Sequence, residues 1–521
     1  MFRQVTGDIV EKQDYETLVW SLQSEAQEFP GMFRAKAVLI SVLAYLVLFA
    51  LLAVLLTGVY FLFAVVHGNG HVIFKIFFAG WILAVAPIVW FTFRVVLPPF
   101  SAPEGRALTE PEAPQLYRMI ADLRERFQAA PIHHVLITNE FNAAIAQRAR
   151  FGLFGGYRNY LILGLPLLDA VSANELLALV AHEYGHLAGG HGKFGRWIYR
   201  QRSTFDALHE HAQERRENNA VNGVLAGMLD WFVPYYDAYT FVLSRQNEYE
   251  ADTKARAIAG ADACASALIR ISLLADWLHG SFWPKLYVQS TQHETPPIMP
   301  YVAMRKLLVM TMDEWATKER LNTVWKAESG VNDTHPSLSE RVTAMEQRAV
   351  LPSLPKTSAA DACLGKFAQE LVREFDSKWW AEEKDKWQKY YRRYTRSNTR
   401  IAELEQKPVS ALSAAEAQEL ALLLVEFRSA SAAKTVLEDL LGRSSERYPK
   451  PVFLYGRALL DEGDAKGLDL LEEALSLSPS MKDDCAKAGY QWLCEKQNVT
   501  AAETWLERLR KVQPATPATN K

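Results

Sequence analysis

Two long uncharged runs lie near the start of the chain. The first covers Ala37 to Val66, thirty residues without a charge, and the second covers Ile76 to Phe93. About 20 apolar residues are enough for a helix to cross a bilayer. The pattern predicts two transmembrane helices over residues 37–97, joined by a short turn and preceded by a cytoplasmic segment over residues 1–36. The alternative is a pair of helices buried in a protein core.

Basic residues flank these two runs. Arg34 and Lys36 precede the first run, and Arg94 and Arg106 follow the second. Cytoplasmic segments of membrane proteins carry an excess of Lys and Arg. We therefore expect the rest of the chain to face the cytoplasm.

A third apolar stretch runs from Val221 to Val242. Asp230, Pro234 and Asp237 interrupt it. Such a pattern favours a helix that lies on a membrane surface or packs in a domain core over a further span.

Residues 160–188 carry a strand signal followed by a helix signal. Tyr160 to Leu165 is an apolar run closed by Pro166, which predicts a strand. Ser172 and Glu175 have the spacing of a capping box, and apolar residues follow at helical spacing. An exposed strand edge beside such a helix can pair with an extended peptide.

The predicted helix contains an HExxH motif. His182 and His186 are four residues apart, so both imidazoles lie on one face and can reach one metal ion. Glu183 is placed to take a proton from a water molecule on that metal. The motif is short enough to arise by chance, and its context therefore decides its meaning.

A catalytic zinc site needs a third protein ligand. His191 falls one residue short of the metzincin spacing, which favours a surface role for it. Glu248 and Asp252 are four apart on a predicted helix and share one face. One carboxylate can bind the metal while the other orients a ligand histidine. The alternative is two solvated acids on an exposed helix.

Three separated motifs resemble those of a known family. They are HExxH, the sequence SRQNEYEAD at residues 244–252 and the sequence THPSLSER at residues 334–341. Over about residues 100–350 the chain is similar to the membrane-bound gluzincin family of the CAAX prenyl protease and the HtpX heat-shock protease. The resemblance implies one Zn²⁺ per chain, held by His182, His186 and Glu248, with Asp252 in contact with a ligand.

The resemblance also implies roles for residues outside the metal helix. His335 would act in catalysis by stabilising the oxyanion of the tetrahedral intermediate. Arg341 would lie near the bound substrate, as would Asn142, which forms the family's Asn-Ala pair with Ala143. The two predicted spans are fewer than in the family's better-known members and cannot enclose an intramembrane chamber. General proteolysis beside a membrane is therefore favoured over cleavage of prenylated peptides.

The composition changes after residue 350. Residues 351–405 predict a charged and aromatic helical connector, and residues 406–515 predict alternating helices. Tyr455 to Pro479 resembles one tetratricopeptide repeat, and flanking helix pairs would complete a short stack. Such stacks bind polypeptide segments or other proteins. A helical cap without a partner is the alternative.

Charge and cysteine content exclude some classes of protein. The 521 residues carry 57 basic and 60 acidic side chains, a net charge of −3, which gives no sign of a nucleic-acid partner. The four cysteines form no CxxC pair, so a disulfide framework is not expected and a reducing compartment suits the chain.

These observations predict a mainly α-helical fold with a small β-sheet, an α+β zincin-type metalloprotease domain over residues 100–350. The expected function is that of a membrane-anchored zinc endopeptidase with polypeptide substrates, which acts in membrane-protein quality control or processing at a bacterial inner (plasma) membrane. The alternative is a non-catalytic adaptor that binds partner proteins through its helical tail. Glu183 argues against the adaptor, because a structural zinc site needs no such base.

Overall fold

The computed structural model describes most of the chain. The described residues are 8–67, 71–96, 102–149, 157–188, 205, 209, 213, 220–329, 335–443, 447–496 and 499–510. They form two compact units, Met1–Pro284 with Ile298–Trp379, and Lys285–Pro297 with Trp380–Lys521. The predicted domain bounds stay predictions.

Three helices precede the sheet: α1 (Asp8–Glu28), α2 (Pro30–His67) and α3 (Val72–Val96). The second and third cover the two uncharged runs. Within the part of the chain that the structure describes, no helix is long and apolar enough to cross a membrane. The helices are thus present at the predicted positions, but their assignment as transmembrane spans is not supported.

The first unit contains a four-stranded sheet. Its strands are β1 (Arg106–Leu108), β2 (His134–Thr138), β3 (Ala143–Ala149) and β4 (Tyr157–Gly164), in the spatial order β1-β2-β4-β3. The strands β2 and β4 are parallel, and the other two pairings are antiparallel. The small sheet in a mainly helical chain confirms the predicted combination of elements.

The predicted strand at residues 160–165 is an inner strand of this sheet. It lies within β4, between β2 and β3, where Leu161 and Leu163 are fully buried. The two edge strands of the described sheet are β1 and β3. The predicted strand is confirmed, but it is not an edge strand, because β2 and β3 pair with it on its two sides.

The metal helix follows the sheet. After the short helix α5 (Leu165–Ala170), α6 spans Ala173–Ala188. The predicted capping box is confirmed: the backbone N–H of Ser172 donates to Glu175 Oε2 at 2.7 Å, and the Glu175 N–H donates to Ser172 Oγ at 3.2 Å. Glu175 is also held by Arg270, whose buried guanidinium donates to its carboxylate at 3.1 Å. The start of α6 is therefore fixed on two sides.

The second ligand-bearing element is the long helix α7 (Ala220–Ala259). It contains the apolar stretch 221–242 and the SRQNEYEAD segment in one continuous helix, with Pro234 inside it. Its middle part packs against α1 and the start of α2, in a cluster that includes Leu22, Phe33 and Phe241. This stretch therefore packs against other helices of the first unit, and packing in a domain core is one of the two arrangements that the sequence predicts for it.

The remaining helices of the described chain complete the two units. Up to residue 364 these are α4 (Pro114–Phe127), α8 (Ala261–Trp277), α9 (Trp283–Val288), α10 (Pro300–Trp315), α11 (Lys318–Lys326), α12 (Leu338–Ala344) and α13 (Ala359–Leu364). They are followed by α14 (Phe367–Glu405), α15 (Ala414–Phe427), α16 (Lys434–Gly442), α17 (Pro449–Asp461), α18 (Lys466–Leu477), α19 (Lys482–Glu495) and α20 (Val499–Arg510).

The second unit is built around consecutive helix pairs. The pairs α15–α16, α17–α18 and α19–α20 begin at Ala414, Pro449 and Lys482 and share one hydrophobic core. In the middle pair, a Cβ on Gly456 would lie 2.9 Å from the carbonyl oxygen of Gly467, so the two helices approach closely. Stacked pairs are thus present, while their identity as tetratricopeptide repeats stays a prediction.

Candidate metal centre

The two histidines of the HExxH motif face each other on α6. His182 Nε2 lies 3.1 Å from His186 Nε2. This follows from the helix geometry, since residues four apart on an α-helix stand one turn above each other. The His182 side chain is 12% exposed and that of His186 26%, so His186 is the more exposed of the two histidines.

Glu248 on α7 completes the cluster. Its Oε1 lies 3.3 Å from His186 Nε2, and its Oε2 lies 3.5 Å from His182 Nε2. One donor atom from each of the three residues lies within 4.8 Å of the others, the arrangement required to bind one metal ion. Within the described chain, the structure thus brings together the three predicted ligands.

The donor atoms fit zinc in both chemistry and spacing. Two imidazoles and a carboxylate are a common ligand set for catalytic zinc, with bonds of about 2.0–2.2 Å. In a tetrahedral site, bonds of that length place neighbouring ligand atoms roughly 3.3 Å apart. The observed separations of 3.1, 3.3 and 3.5 Å bracket that value. In addition, Glu248 Oε2 is buried and accepts no well-directed hydrogen bond from the described residues.

Asp252 contacts the Nδ1 side of the His182 ring, and Arg341 binds Asp252 in turn. Asp252 Oδ1 lies 2.9 Å from His182 Nδ1, so when a metal binds, the proton stays on this nitrogen and Nε2 offers its lone pair to the metal. Arg341 makes a bidentate ion pair with the same carboxylate, with hydrogen bonds from Nε at 2.8 Å and from Nη2 at 2.6 Å. Asp252 therefore lies next to a ligand, where the resemblance places it.

The charges of this cluster shift its pKa values. Burial alone would lower the pKa of His182, but hydrogen bonds to Asp252 and Glu248 raise it to about 9. Burial alone would raise the pKa of Glu248, but the imidazoles of His182, His186 and His335, each within 3.5 Å of its oxygens, hold it well below its ordinary value. The pKa of Asp252 is likewise lowered, since the contacts with Arg341 and His182 outweigh its burial.

Glu183 is positioned from the sheet. The backbone N–H of Ile145 on β3 donates to Glu183 Oε2 at 3.0 Å. The contact is possible because Ile145 lies on the edge strand, where alternate N–H groups point away from β4. This backbone contact on Glu183 was not predicted, and no side-chain pattern in the sequence signals it.

His335 lies beside the cluster, with its Nδ1 3.0 Å from Glu248 Oε2 and its side chain 64% exposed. The contact with Glu248 raises its pKa despite partial burial. Asn142 is exposed and precedes β3, and its carbonyl accepts the N–H of Gly164 at 2.7 Å. The roles of His335 in catalysis and of Asn142 and Arg341 at the substrate stay predictions. His191 lies outside the described residues.

A close contact between α6 and α7 brings the ligands together. Gly185 lies between the two histidines, and a Cβ there would lie 3.0 Å from the Cα of Ala251 and 3.3 Å from its carbonyl oxygen. A glycine within HExxH predicts close packing at this position, but the sequence does not indicate which helix packs there. Lys254 adds a hydrogen bond from Nζ to the Gly185 carbonyl at 3.3 Å.

The same region matches a family of known peptidases. The sequence model described as Peptidase family M48 matches residues 141–349. This match indicates a zinc metalloprotease. It covers the HExxH helix, α7 and the His335 segment, and it supports the M48 zincin metallopeptidase family for this part of the peptidase. Peptidases of this family depend on zinc and act on polypeptides. No curated protein matches the chain.

Gly185→Ala should separate the ligand helices of the peptidase. The added methyl has to displace α7, at a cost of about 1–3 kcal/mol in unfolding free energy, and zinc affinity should fall about tenfold or more because Glu248 moves with α7. The matched control is Gly227→Ala, on the same helix α7 with no atom within 4 Å of the added Cβ. It should bind zinc normally. Zinc titration and thermal unfolding of both variants measure this. Normal zinc affinity in Gly185→Ala would contradict the packing argument.

Zinc binding to the metal-free protein should release a proton from His182. With a pKa of about 9, His182 is charged at neutral pH and has to become neutral before it binds. Apparent zinc affinity should rise about tenfold per pH unit up to about pH 9 and then level off. By linkage, the same shift stabilises the metal-free fold fully below pH 6.5, and this contribution is lost as the pH rises through 9. Chelator competition between pH 6.5 and pH 9 measures the zinc affinity. A zinc affinity that does not change with pH would refute the predicted proton release.

Proposed function

We propose that the protein is a zinc-dependent endopeptidase that binds one Zn²⁺ through His182, His186 and Glu248. The observation that carries the proposal is the meeting of these three donors beside Glu183, at an edge strand. When bound, zinc lowers the pKa of a coordinated water molecule towards about 7 and polarises a carbonyl group. All other steps are assigned to side chains and backbone groups of this chain.

Glu183 acts as the base in this proposal. Because Ile145 N–H holds Oε2, the other carboxylate oxygen is left to accept the proton of the attacking water molecule. The same carboxyl group then delivers the proton to the leaving amine. A hydrogen bond from the backbone orients the carboxylate without neutralising it.

His335 stabilises the oxyanion that forms when the scissile carbonyl is attacked. It lies 3.0 Å from Glu248 Oε2 and is open to solvent on its other side, so a substrate carbonyl can approach it. A donor of this kind contributes more in the transition state than in the ground state.

The substrate lies along β3 in an extended conformation. This strand is the last in the sheet order, and Ile145 N–H shows that its outward backbone groups point towards the metal helix. An extended peptide added to such an edge is held by main-chain hydrogen bonds, which are independent of its sequence. The proposal therefore favours broad endopeptidase activity on unfolded segments.

The adaptor alternative explains less of the site. A structural zinc site is normally closed by four protein ligands. Here three protein donors meet within the described residues, and the carboxylate of Glu183, which is not one of them, accepts a backbone N–H from the sheet edge. A non-catalytic role would require neither feature.

Glu183→Gln should keep zinc and lose peptidase activity, because it preserves the side-chain shape but not the base. We expect a decrease in kcat of about 100-fold or more. Glu248→Ala should lose both zinc and activity. Metal analysis of the purified variants and cleavage of an unfolded model protein, with added zinc and with a chelator, provide the test. A full equivalent of zinc in Glu248→Ala would refute the ligand assignment, and a fully active Glu183→Gln would refute the base.

We also propose that the protein is attached to a bacterial inner membrane and acts in membrane-protein quality control or processing, with the C-terminal helix pairs holding polypeptide segments. The attachment is supported by the uncharged run of α2 and by exposed apolar side chains such as Leu39, Leu46 and Phe63. The role at the membrane follows from the resemblance of the motifs to membrane-bound peptidases.

The inactive variant Glu183→Gln tests this placement in cells. It should stay in the membrane pellet after an alkaline carbonate wash and hold several integral membrane proteins that the wild type removes. Release by carbonate would overturn the membrane attachment. Capture of one protein alone would favour dedicated processing over quality control.

A further inference from the structure

Contacts from three parts of the chain converge on the carboxylate of Glu340. The backbone N–H of Ser337 donates to its Oε2 at 2.7 Å, and the hydroxyl of Ser329 donates to the same oxygen at 3.4 Å. Arg245 donates to it from Nη2. Glu340 therefore connects two chain segments, one at Ser329 and one at Ser337, with the guanidinium of Arg245.

Arg245 is firmly attached to the ligand helix. It lies on α7, three residues before Glu248, and its side chain is only 10% exposed. Its guanidinium carbon lies 5.6 Å from the ring centre of Phe241 on the same helix. Its position therefore follows that of α7, so Glu340 is tied to the helix that carries the third zinc ligand.

His335 is linked to this attachment through the backbone of residues 335–337, in addition to the contact of its Nδ1 with Glu248 at 3.0 Å. Its side chain is mostly exposed, so packing contributes little to holding it. It is joined to Ser337 through Pro336, which is buried and restricts the backbone of the preceding residue. Ser337 in turn caps α12 through Glu340, with its Oγ accepting the Glu340 N–H at 3.3 Å. A displacement of Glu340 from Arg245 is therefore passed on to His335.

We propose that Arg245 and Glu340 are positioning residues that hold His335 against the metal centre. The inference rests on the proposed function, in which His335 stabilises the oxyanion. Neither residue touches the substrate. Both act through the backbone at Ser337, and their loss leaves His182, His186 and Glu248 in place.

Glu340→Gln separates the ion pair from helix capping. A glutamine in this position of a capping box still accepts from the backbone N–H of Ser337, but it no longer pairs with a guanidinium as an ion. The matched control is Glu346→Gln, which removes the exposed contact between Glu346 and Arg256 of the same helix α7, at 3.1 Å. Arg245→Lys serves as the conservative variant.

We expect Glu340→Gln to lower kcat about 10- to 100-fold, with KM changed less than about twofold and zinc content unchanged. Glu346→Gln should match the wild type, and Arg245→Lys should stay within about threefold of it. In a His335→Ala background, Glu340→Gln should cause no further loss, because residues that act through one group are not additive. Additive losses, or a normal kcat in Glu340→Gln, would overturn the proposal.

Failure of the positioning pair can be told apart from failure of the proposed function. Full activity in His335→Ala, or no peptidase activity in the wild type, would reject the proposed function. In either case, amide hydrogen exchange of residues 335–341 still tests the attachment. Faster exchange in Glu340→Gln than in Glu346→Gln supports it, and equal exchange overturns it.

Discussion

The site is organised by two carboxylates buried on one face of one helix. Glu248 and Asp252 lie one turn apart on α7, and both are buried. A buried carboxylate is stable only when positive groups and hydrogen-bond donors surround it. Arg341 and His182 meet this need for Asp252, and for Glu248 the imidazoles meet it together with the zinc that the donor set fits. The negative charge of these carboxylates, which favours metal binding, therefore also requires histidine and arginine side chains next to them.

These charges can meet only because two helices approach closely. Gly185 lets the backbone of α7 come near the metal helix, and the buried pair of Glu175 and Arg270 fixes where that helix begins. Glu183, on the same metal helix, accepts a backbone N–H from β3. The ligands thus come from two packed helices, while the base is oriented by a sheet edge. Each element is held by contacts that do not include the metal.

Features set by neighbours in the chain were predictable. The capping box at Ser172, the strand before it and the pairing of His182 with His186 on one face all follow from local spacing, and the structure confirms them. The choice of Glu248 over His191 came from motif order, and Glu248 does meet the histidines. Hydropathy located α2 and α3 correctly, but the spans read from it are not supported among the described residues.

Local sequence alone determined the helix that carries the motif, the residue types at the site and therefore its metal chemistry, because helical period and side-chain chemistry are properties of a few consecutive residues. Tertiary structure decided which strand forms the edge, that Arg341 binds Asp252 from 89 residues away, and that Arg245 meets Glu340. Such contacts depend on how whole helices pack, and nothing in the spacing of a single segment encodes its distant partner.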